Sequence, residues 1–422
     1  MPTVATTLVT EVICPNCWER FRPERIRYVA AHRDLVDDIR LGPGVKRRFL
    51  PSRFHPDGRA IDPNGGLCSD MACPRCHLGV PRMLLESPTV FVSSFGAPGS
   101  GKSYFLAAMT HRLRQVMPRE FALNFSDADP EANAILHADE DSLFGGVGDR
   151  WVSLRKTDVT GDRYRMVDIN GESIRYPSPF YFQVSPVGGH PGERRAADLA
   201  RTLCLYDNAG ESFEPGADRE GNPVTQHLAR SGCLLFVYDP LQETDFRRRL
   251  ADVDKDASQA SVTRQDVLLA EVARRIRFHH GLGPTDRHSC PLVVVVTKFD
   301  AWRSLVGGRT LPDPWVKTGG VSHFRGDLVD KVSKLTRDLL LKHAPSIIAT
   351  AESFVAPADI LYVPVSATGS APTLGPDGRW QHATGALSPM WVEVPLLYAL
   401  SRRVPGLVPG AEAHRETNHC QP

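Results

Sequence analysis

The feature that most limits how this chain can fold is a glycine-rich stretch, GAPGSGKSY, which runs from residue 96 to residue 104. The pattern G-x-x-x-x-G-K-[ST] is matched from Gly96 to Ser103, and in this pattern successive backbone N–H groups surround phosphate oxygens. The lysine reaches the outer phosphates, and the serine hydroxyl binds Mg²⁺. We therefore expect a phosphate site that consists of Gly96, Ala97, Pro98, Gly99, Ser100, Gly101, Lys102, Ser103 and Tyr104.

The residues around this stretch have the strand-then-helix context that such a loop requires. The apolar, β-branched run TVFVSS precedes it, and YFLAAMTHRLRQVM after it has the apolar periodicity of a helix. Further apolar runs with polar or turn-forming ends follow, namely PFYFQVSPV, TLCLYDNAGE, CLLFVYDP, LVVVVTKFD and ILYVPVSATG. Near-continuous runs of Val and Leu indicate strands that are covered on both faces. We predict a three-layer α/β domain over residues 88–405, with a mostly parallel six-stranded sheet.

Two other parts of the chain lack such a pattern. Residues 126–179 are rich in Gly, Asp and Asn, and we interpret them as a long irregular region of the kind that is usually functional or mobile. Residues 406–422 are predicted to be a disordered tail.

An acidic residue ends one of the predicted strands. Asp207, in TLCLYDNAGE, is placed so that it could reach Mg²⁺ through a water molecule. Gly210 follows three residues later, and a glycine there can bring its N–H against the γ-phosphate. This arrangement ties the following segment to the nucleotide state and is typical of a switch.

Two later strand ends carry residues that suit a guanine base. Asp300, in TKFD, can accept two hydrogen bonds from N1–H and the exocyclic amine of guanine, whereas adenine offers no such pair of donors. Lys298 can lay its stem along the base, and the Ala367 N–H could meet guanine O6. Ligands of open α/β sheets bind at this carboxyl edge. The expected base site consists of Thr297, Lys298, Asp300, Ser366, Ala367 and Thr368.

Four of the nine cysteines form two C-P-x-C units that precede the glycine-rich stretch. Cys14 with Cys17 and Cys73 with Cys76 can supply the four ligands of a tetrahedral zinc site, and we predict a zinc ribbon with an insertion over residues 12–87. Cys68 or His77 could replace one of these ligands. Reduced cysteines without a metal, or a redox pair, are the alternatives. We expect a structural ion, whose removal leaves nucleotide binding largely intact.

Composition limits the classes of partner and compartment. A net charge of +1 and the lack of an aromatic and basic stripe give no support to nucleic-acid or membrane binding. The amino terminus lacks the basic segment and apolar core of a secretory signal, so we expect a cytoplasmic protein. The sequence does not indicate an oligomeric state.

From residue 89 to about 405 the chain resembles the translation-factor-related (TRAFAC) class of P-loop GTPases, through GAPGSGKS, DNAG, TKFD and SAT. A ribbon followed by such a domain is similar to bacterial double-GTPase proteins of conflict or defence systems. The resemblance implies GTP, Mg²⁺, hydrolysis to GDP, and a partner that is another GTPase or an activating protein. It also implies that the second strand, PFYFQVSPV, runs antiparallel.

The chain departs from that class at the expected catalytic residues. Glu211 stands where many members have a glutamine that orients water, and its charge would lie near the γ-phosphate. Thr157 is our first candidate for the switch threonine over Mg²⁺, and Thr160 is the second. Arg155 could act as an arginine finger beside Lys102, or a partner could supply one. A scaffold that holds GTP without useful turnover is the alternative reading.

Overall fold

The computed structural model describes residues 8–146, 151–154, 164–169, 171–207, 226–250, 264–308, 310–375 and 380–410. The amino-terminal elements are β1 (Val12–Ile13), β2 (Arg20–Phe21), β3 (Arg27–Val29), β4 (Arg48–Phe49), β5 (Ala60–Ile61), β6 (Leu67–Cys68), β7 (Met71–Ala72), β8 (Gly79–Val80) and α1 (Met83–Glu86). The later strands are β9 (Thr89–Phe95), β10 (Leu123–Asp127), β11 (Trp151–Val152), β12 (Tyr164–Ile169), β13 (Glu172–Pro177), β14 (Phe180–Pro186), β15 (Arg201–Asp207), β16 (Cys233–Tyr238), β17 (Leu292–Val296), β18 (Trp315–Thr318), β19 (Val321–Phe324), β20 (Ile360–Pro364), β21 (Thr373–Leu374) and β22 (Trp380–Ala383). The later helices are α2 (Lys102–Phe121), α3 (Ala134–Phe144), α4 (Ala196–Leu199), α5 (Gln226–Arg230), α6 (Thr244–Leu250), α7 (Gln265–His280), α8 (Phe299–Trp302), α9 (Gly326–His343), α10 (Pro345–Phe354) and α11 (Val394–Arg403).

The centre of the molecule is a seven-stranded sheet with the order β10-β14-β15-β9-β16-β17-β20. The five strands from β15 to β20 in this order are parallel, whereas β14 is antiparallel to both of its neighbours. The prediction of a mostly parallel sheet is confirmed, as is the antiparallel second strand, PFYFQVSPV.

The predicted strand count of six is wrong because β10 adds a seventh strand at the edge. This strand begins two residues after α2 ends, and the backbone of Ala122 between them is left-handed, with φ 49°. Only Leu123 and Phe125 of β10 are buried. An edge strand that turns one face to the core has a short alternating pattern, which is weaker than a continuous apolar run.

Both faces of the sheet are covered, which explains the apolar strands. All five residues of β17 are fully buried. One face packs against α2 and α11, and the other packs against α7 and α10. Strands in such a three-layer arrangement need apolar side chains on both sides.

The amino-terminal elements cover the part of the second face that α7 and α10 leave open. Phe91, Tyr181 and Tyr206 point from β9, β14 and β15 into one buried cluster with the four cysteines of the C-P-x-C units. The β12–β13 hairpin joins the same cluster, and the rings of Tyr176 and Trp18 lie 6.2 Å apart. Residues 12–87 therefore pack directly on the sheet.

Two expectations about irregular regions need correction. Within residues 126–179 the described parts include α3 and the β12–β13 hairpin, so this region is not wholly irregular. Leu407 and Val408 are buried, and the Phe324 N–H donates to the Pro409 carbonyl at 2.7 Å. The chain thus remains packed as far as residue 410. Among the described helices, we find none with the length and apolar character needed to cross a bilayer.

Candidate nucleotide-binding site and cysteine cluster

The glycine-rich loop joins the end of β9 to the start of α2, at the carboxyl edge of the parallel strands. A Cβ atom on Gly96 would lie 2.2 Å from the carbonyl oxygen of Val237, so this close approach to β16 requires glycine. Gly99 and Gly101 have φ values of 73° and 88°, in the left-handed region that favours glycine. These glycines let the loop turn sharply before the amino terminus of α2, where N–H groups favour anions.

Lys102 folds back over the loop that precedes it. Its Nζ donates to the carbonyls of Gly96 at 2.8 Å and Ala97 at 3.0 Å. Only 7% of the lysine is exposed. The ammonium is thus held inside the loop, where the pattern predicts the outer phosphates of a nucleotide.

Two residues from neighbouring strands hold the loop in shape. The Thr297 hydroxyl lies 3.0 Å from the carbonyl oxygens of both Ser100 and Tyr238, so it joins the loop to β16 and β17. The Gln242 amide donates to the Pro98 carbonyl at 3.1 Å. Thr297 was expected from TKFD, but sequence reasoning missed Gln242, whose only signal is its place just after β16.

Asp207 ends β15, one strand away from the loop. It pairs in register with Ser94, the residue before the last of β9, and only 6% of it is exposed. The acidic side chain and the phosphate loop therefore lie at the same edge of the sheet, as a shared Mg²⁺ site requires.

Four of the expected switch and catalytic residues, Arg155, Thr157, Gly210 and Glu211, lie outside the described residues. The segment that leads to the first two is described as far as Leu154, whose N–H donates to the Tyr104 hydroxyl at 2.9 Å. Tyr104 follows Ser103 directly. The chain that precedes Thr157 is thus attached beside the predicted magnesium ligand.

At the other end of the site, Lys298 forms an ion pair that the sequence analysis did not include. Its Nζ lies 2.7 Å from a carboxylate oxygen of Asp239, whose side chain is completely buried at the end of β16. The other oxygen of Asp239 accepts the Leu241 N–H at 2.9 Å. The signal in the sequence was an acidic residue at a strand end, in CLLFVYDP.

Asp300, in α8, and Ser366, which follows β20, contact each other directly. The Ser366 hydroxyl donates to one carboxylate oxygen of Asp300 and accepts the Gly369 N–H at 2.8 Å. Ala367 and Thr368 continue the same loop, which the Ser388 N–H closes by donating to the Thr368 carbonyl at 2.9 Å. The carboxylate predicted to read guanine is therefore fixed by the loop predicted to meet guanine O6.

The four cysteines of the C-P-x-C units form one buried cluster. All four sulfur atoms lie within 4.8 Å of one another. The distances are 3.8 Å between the sulfurs of Cys14 and Cys76 and 3.6 Å between those of Cys17 and Cys73. A tetrahedral zinc site with Zn–S bonds of about 2.3 Å has sulfur–sulfur edges of about 3.8 Å, so the donor set fits zinc.

The two C-P-x-C turns have the same backbone geometry. In each, the residue after the second cysteine is left-handed, with φ 56° at Trp18 and 62° at His77. The N–H groups of these residues donate to the carbonyls of Cys14 at 2.9 Å and Cys73 at 3.1 Å. In both turns an amide also donates to the first sulfur, at 3.4 and 3.3 Å. Such bonds favour thiolates.

The two alternative zinc ligands belong to other clusters. The Cys68 sulfur lies 3.8 Å from a carboxylate oxygen of Asp62. The Nδ1 atom of His77 lies 2.8 Å from a carboxylate oxygen of Asp38, and both of these side chains are buried. Neither residue is needed to complete the set of four sulfurs.

Comparison with known proteins finds weak similarities in sequence and in structure. No protein-family model matches the chain. A protein of Mycolicibacterium smegmatis that is described as an ESX-1 scaffolding and assembly protein, SaeC, is 24% identical over an alignment of 316 residues, and the match covers 67% of this chain and 67% of that protein.

Two solved structures align over similar parts of the chain. The GTPase-like domain of S. cerevisiae Ski7 bound to GTP has 13% identity and a TM-score of 0.24, covering 67% of this chain and 43% of that one. Translation elongation factor SelB from Methanococcus maripaludis with the GTP analogue GppNHp has 10% identity and a TM-score of 0.20, covering 67% and 30%. The chain thus spans less than half of either solved chain. Its own strand order and loop define it as a three-layer α/β protein with a phosphate-loop motif.

Proposed function

We propose that this chain is a guanine-nucleotide-binding switch protein that hydrolyses GTP to GDP. One observation carries the choice of base: Asp300, held by the Ser366 hydroxyl, lies at the strand edge that also bears the phosphate loop. A fixed carboxylate can accept both N1–H and the exocyclic amine of guanine, whereas adenine presents no such pair. The Lys298 stem, held by Asp239, would support the base from one side.

The phosphate end of the site supports a magnesium nucleotide. Ser103 and Asp207 would hold Mg²⁺, which supplies positive charge between the outer phosphates. Lys102 neutralises charge on the same phosphates. Gly210 and Thr157 are the proposed switch contacts, while Glu211 and Arg155 are the proposed residues around the attacking water and the developing charge.

The choice of guanine is tested by Asp300→Asn. The substitution removes one acceptor and adds a donor, so the variant should lose affinity for GDP by about 100-fold, which is roughly 3 kcal/mol. Xanthine has a carbonyl in place of the exocyclic amine, so the variant should gain affinity for xanthosine diphosphate. Calorimetry with both ligands measures this exchange, and unchanged GDP binding would contradict the assignment of Asp300.

A GTP-binding scaffold without useful turnover is the second candidate function. The relative described as a scaffolding and assembly protein matches 67% of both chains, and Glu211 in place of glutamine fits slow hydrolysis. Phosphate release from GTP by the pure protein separates the two. Turnover that Lys102→Ala abolishes supports the switch enzyme, and no release with or without a protein partner supports the scaffold.

The partner in this proposal is a protein, either another GTPase or an activating protein, in a bacterial conflict or defence system. The order of ribbon and nucleotide domain supports it. Affinity purification from cells in the GTP-bound and GDP-bound states tests it, because a switch protein should retain its partner in one state only.

We further propose that the cysteine cluster binds structural zinc, because four sulfur donors leave no open position for substrate. Elemental analysis of the purified protein should give one zinc per chain. Cys73→Ser should lose the metal, and Cys68→Ser is the matched control, since Cys68 is buried outside the cluster. Full zinc content in Cys73→Ser would contradict the proposal.

A further inference from the structure

His382 contacts the residue that follows Ser103 at the phosphate end of the proposed nucleotide site. Its ring centroid is 5.8 Å from that of Tyr104, and the planes meet at 62°, so the rings make an edge contact. Tyr104 directly follows Ser103 at the phosphate end. The negative charge of Asp300, at the base end, acts to raise the pKa of His382 against the larger effect of burial. His382 is thus linked to both ends of the proposed site, through its ring contact with Tyr104 and through the charge of Asp300.

The position of His382 is fixed by strand pairing. In β22 it lies opposite Val152 of β11, the strand that leads to Leu154 and its hydrogen bond with Tyr104. The chain reaches β22 from the loop that contains Ser366. His382 is therefore carried by a small sheet that joins the base-reading loop to the segment before the proposed switch threonine.

The imidazole of His382 has the properties of a side chain that packs against an uncharged part of a ligand. His382 is partly exposed, and burial lowers its pKa, so the imidazole is neutral at pH 7. Its Nδ1 is buried and has no hydrogen-bond partner among the described residues. A planar, neutral imidazole with no hydrogen bond from the described residues at Nδ1 is suited to pack against a purine nucleoside.

We propose that the imidazole of His382 packs against the guanosine part of the bound nucleotide, between Tyr104 and Asp300. This inference rests on the proposed guanine-nucleotide site and adds a contact to it. The phosphates are held elsewhere, by the loop and Lys102, so His382 strengthens binding of the nucleoside alone.

Calorimetry of GDP and pyrophosphate with Mg²⁺ tests the contact. His382→Ala should weaken GDP binding by about 5- to 150-fold, the range measured when a base loses a stacking side chain. Pyrophosphate affinity should stay unchanged. A His382→Ala protein that binds GDP as tightly as wild type overturns the inference, and a wild type that binds no GDP overturns the proposed function itself.

His323→Ala is the matched control. Its neighbour Ser322 donates to Glu120 near the carboxyl end of α2, so His323 lies about 27 Å along that helix from the phosphate loop. This variant should bind GDP as wild type does. Equal losses of GDP affinity in His323→Ala and His382→Ala would overturn the inference, because they would show that replacing a histidine far from the site has the same effect.

Nuclear magnetic resonance of ¹⁵N-histidine gives a readout that a purely structural role would not move. The ring signal that disappears in His382→Gln should shift in wild type when GDP is added, and it should not shift with pyrophosphate. The shift is measured on the wild-type protein, and the folded His382→Gln variant serves only to assign the signal. A signal that GDP leaves unmoved overturns the contact.

Discussion

The hydroxyl of Tyr206 donates a hydrogen bond to the backbone carbonyl of Pro15. Tyr206 directly precedes Asp207, the proposed magnesium ligand, and Pro15 lies between Cys14 and Cys17 of the cluster. The Tyr206 ring also stacks on His227, with centroids 4.6 Å apart, and is fully buried. The strand that ends at the proposed nucleotide site is therefore packed on the cysteine cluster.

This packing changes what metal removal should do. The sequence alone led us to expect that nucleotide binding would survive it largely intact, but the loss of the ion should loosen the turn that holds Tyr206. We predict that chelation lowers the melting temperature by about 5 °C or more and weakens Mg²⁺-dependent GDP binding about fivefold or more. Thermal melts and calorimetry measure both. GDP affinity that chelation leaves unchanged would restore the original expectation.

Tyr206→Phe removes the hydrogen bond that joins the strand bearing Asp207 to the turn between Cys14 and Cys17. The variant keeps the buried ring and removes the hydroxyl, so it should lose about 1 kcal/mol of unfolding free energy. Its GDP binding should respond less to chelation than that of wild type. Tyr362→Phe is a suitable control because the Tyr362 hydroxyl is buried without a partner among the described residues. Equal responses in wild type and Tyr206→Phe would show that the bond does not transmit the effect.

Gly96→Ala tests the shape of the phosphate loop. The added methyl would lie 2.2 Å from the Val237 carbonyl oxygen, so the loop must move away from β16. We expect a loss of about 1–3 kcal/mol in stability and a clear loss of GDP affinity. Gly188→Ala, where a Cβ meets nothing within 4 Å, should change neither property. A Gly96→Ala variant with normal nucleotide binding would show that the loop tolerates the shift.

Asp239→Asn tests the ion pair that holds Lys298. The amide can still accept the Leu241 N–H, but it no longer offers a negative charge to the ammonium. We predict a loss of GDP affinity of roughly tenfold, about 1.4 kcal/mol, because Lys298 is no longer held beside the base. Asp245→Asn is the control, because Asp245 is a half-exposed carboxylate that pairs with the buried His343 and not with Lys298. Equal GDP affinity in both variants would contradict the supporting role of Lys298.

His288 should make the fold sensitive to mild acid. Burial, with a smaller effect of His280, lowers the pKa of His288 from 6.5 to about 4. Between these pH values the unfolded chain binds more protons than the folded chain, so stability falls as pH drops from 6.5 to 4. The loss is at most about 3 kcal/mol.

His288→Asn should reduce the dependence of the unfolding free energy on pH between 6.5 and 4. Asparagine can accept the Cys290 N–H that now reaches Nδ1 at 3.1 Å, and it does not titrate. Urea unfolding at several pH values measures the slope, with His55→Asn as an exposed control. A slope that is equal in wild type and His288→Asn would show that other groups cause the acid sensitivity.

Much of the fold was predictable because its signals are local. Strands such as LVVVV are buried on both faces, so their apolar runs stand out from the sequence. The short motifs at the strand ends also predicted which residues share one edge, and the structure places Lys102, Thr297 and Asp300 along it.

The remaining contacts depend on residues that are distant in the sequence. Pairing of β11 with β22, which places His382, joins segments more than 200 residues apart and leaves no periodic pattern. Asp239 and Gln242 are single polar residues after a strand, and only the folded chain shows what they hold. The contact of Tyr206 with Pro15 likewise arises from packing between two parts that the sequence presents as separate modules.

The most direct test of the central claim is calorimetry of the purified wild-type chain with GDP and with ADP, each with Mg²⁺. Because Asp300 accepts a pair of donors that only guanine carries, GDP should bind with an affinity at least about 100-fold higher than that of ADP. Equal binding of both nucleotides, or preference for ADP, would contradict the assignment of a guanine-nucleotide site.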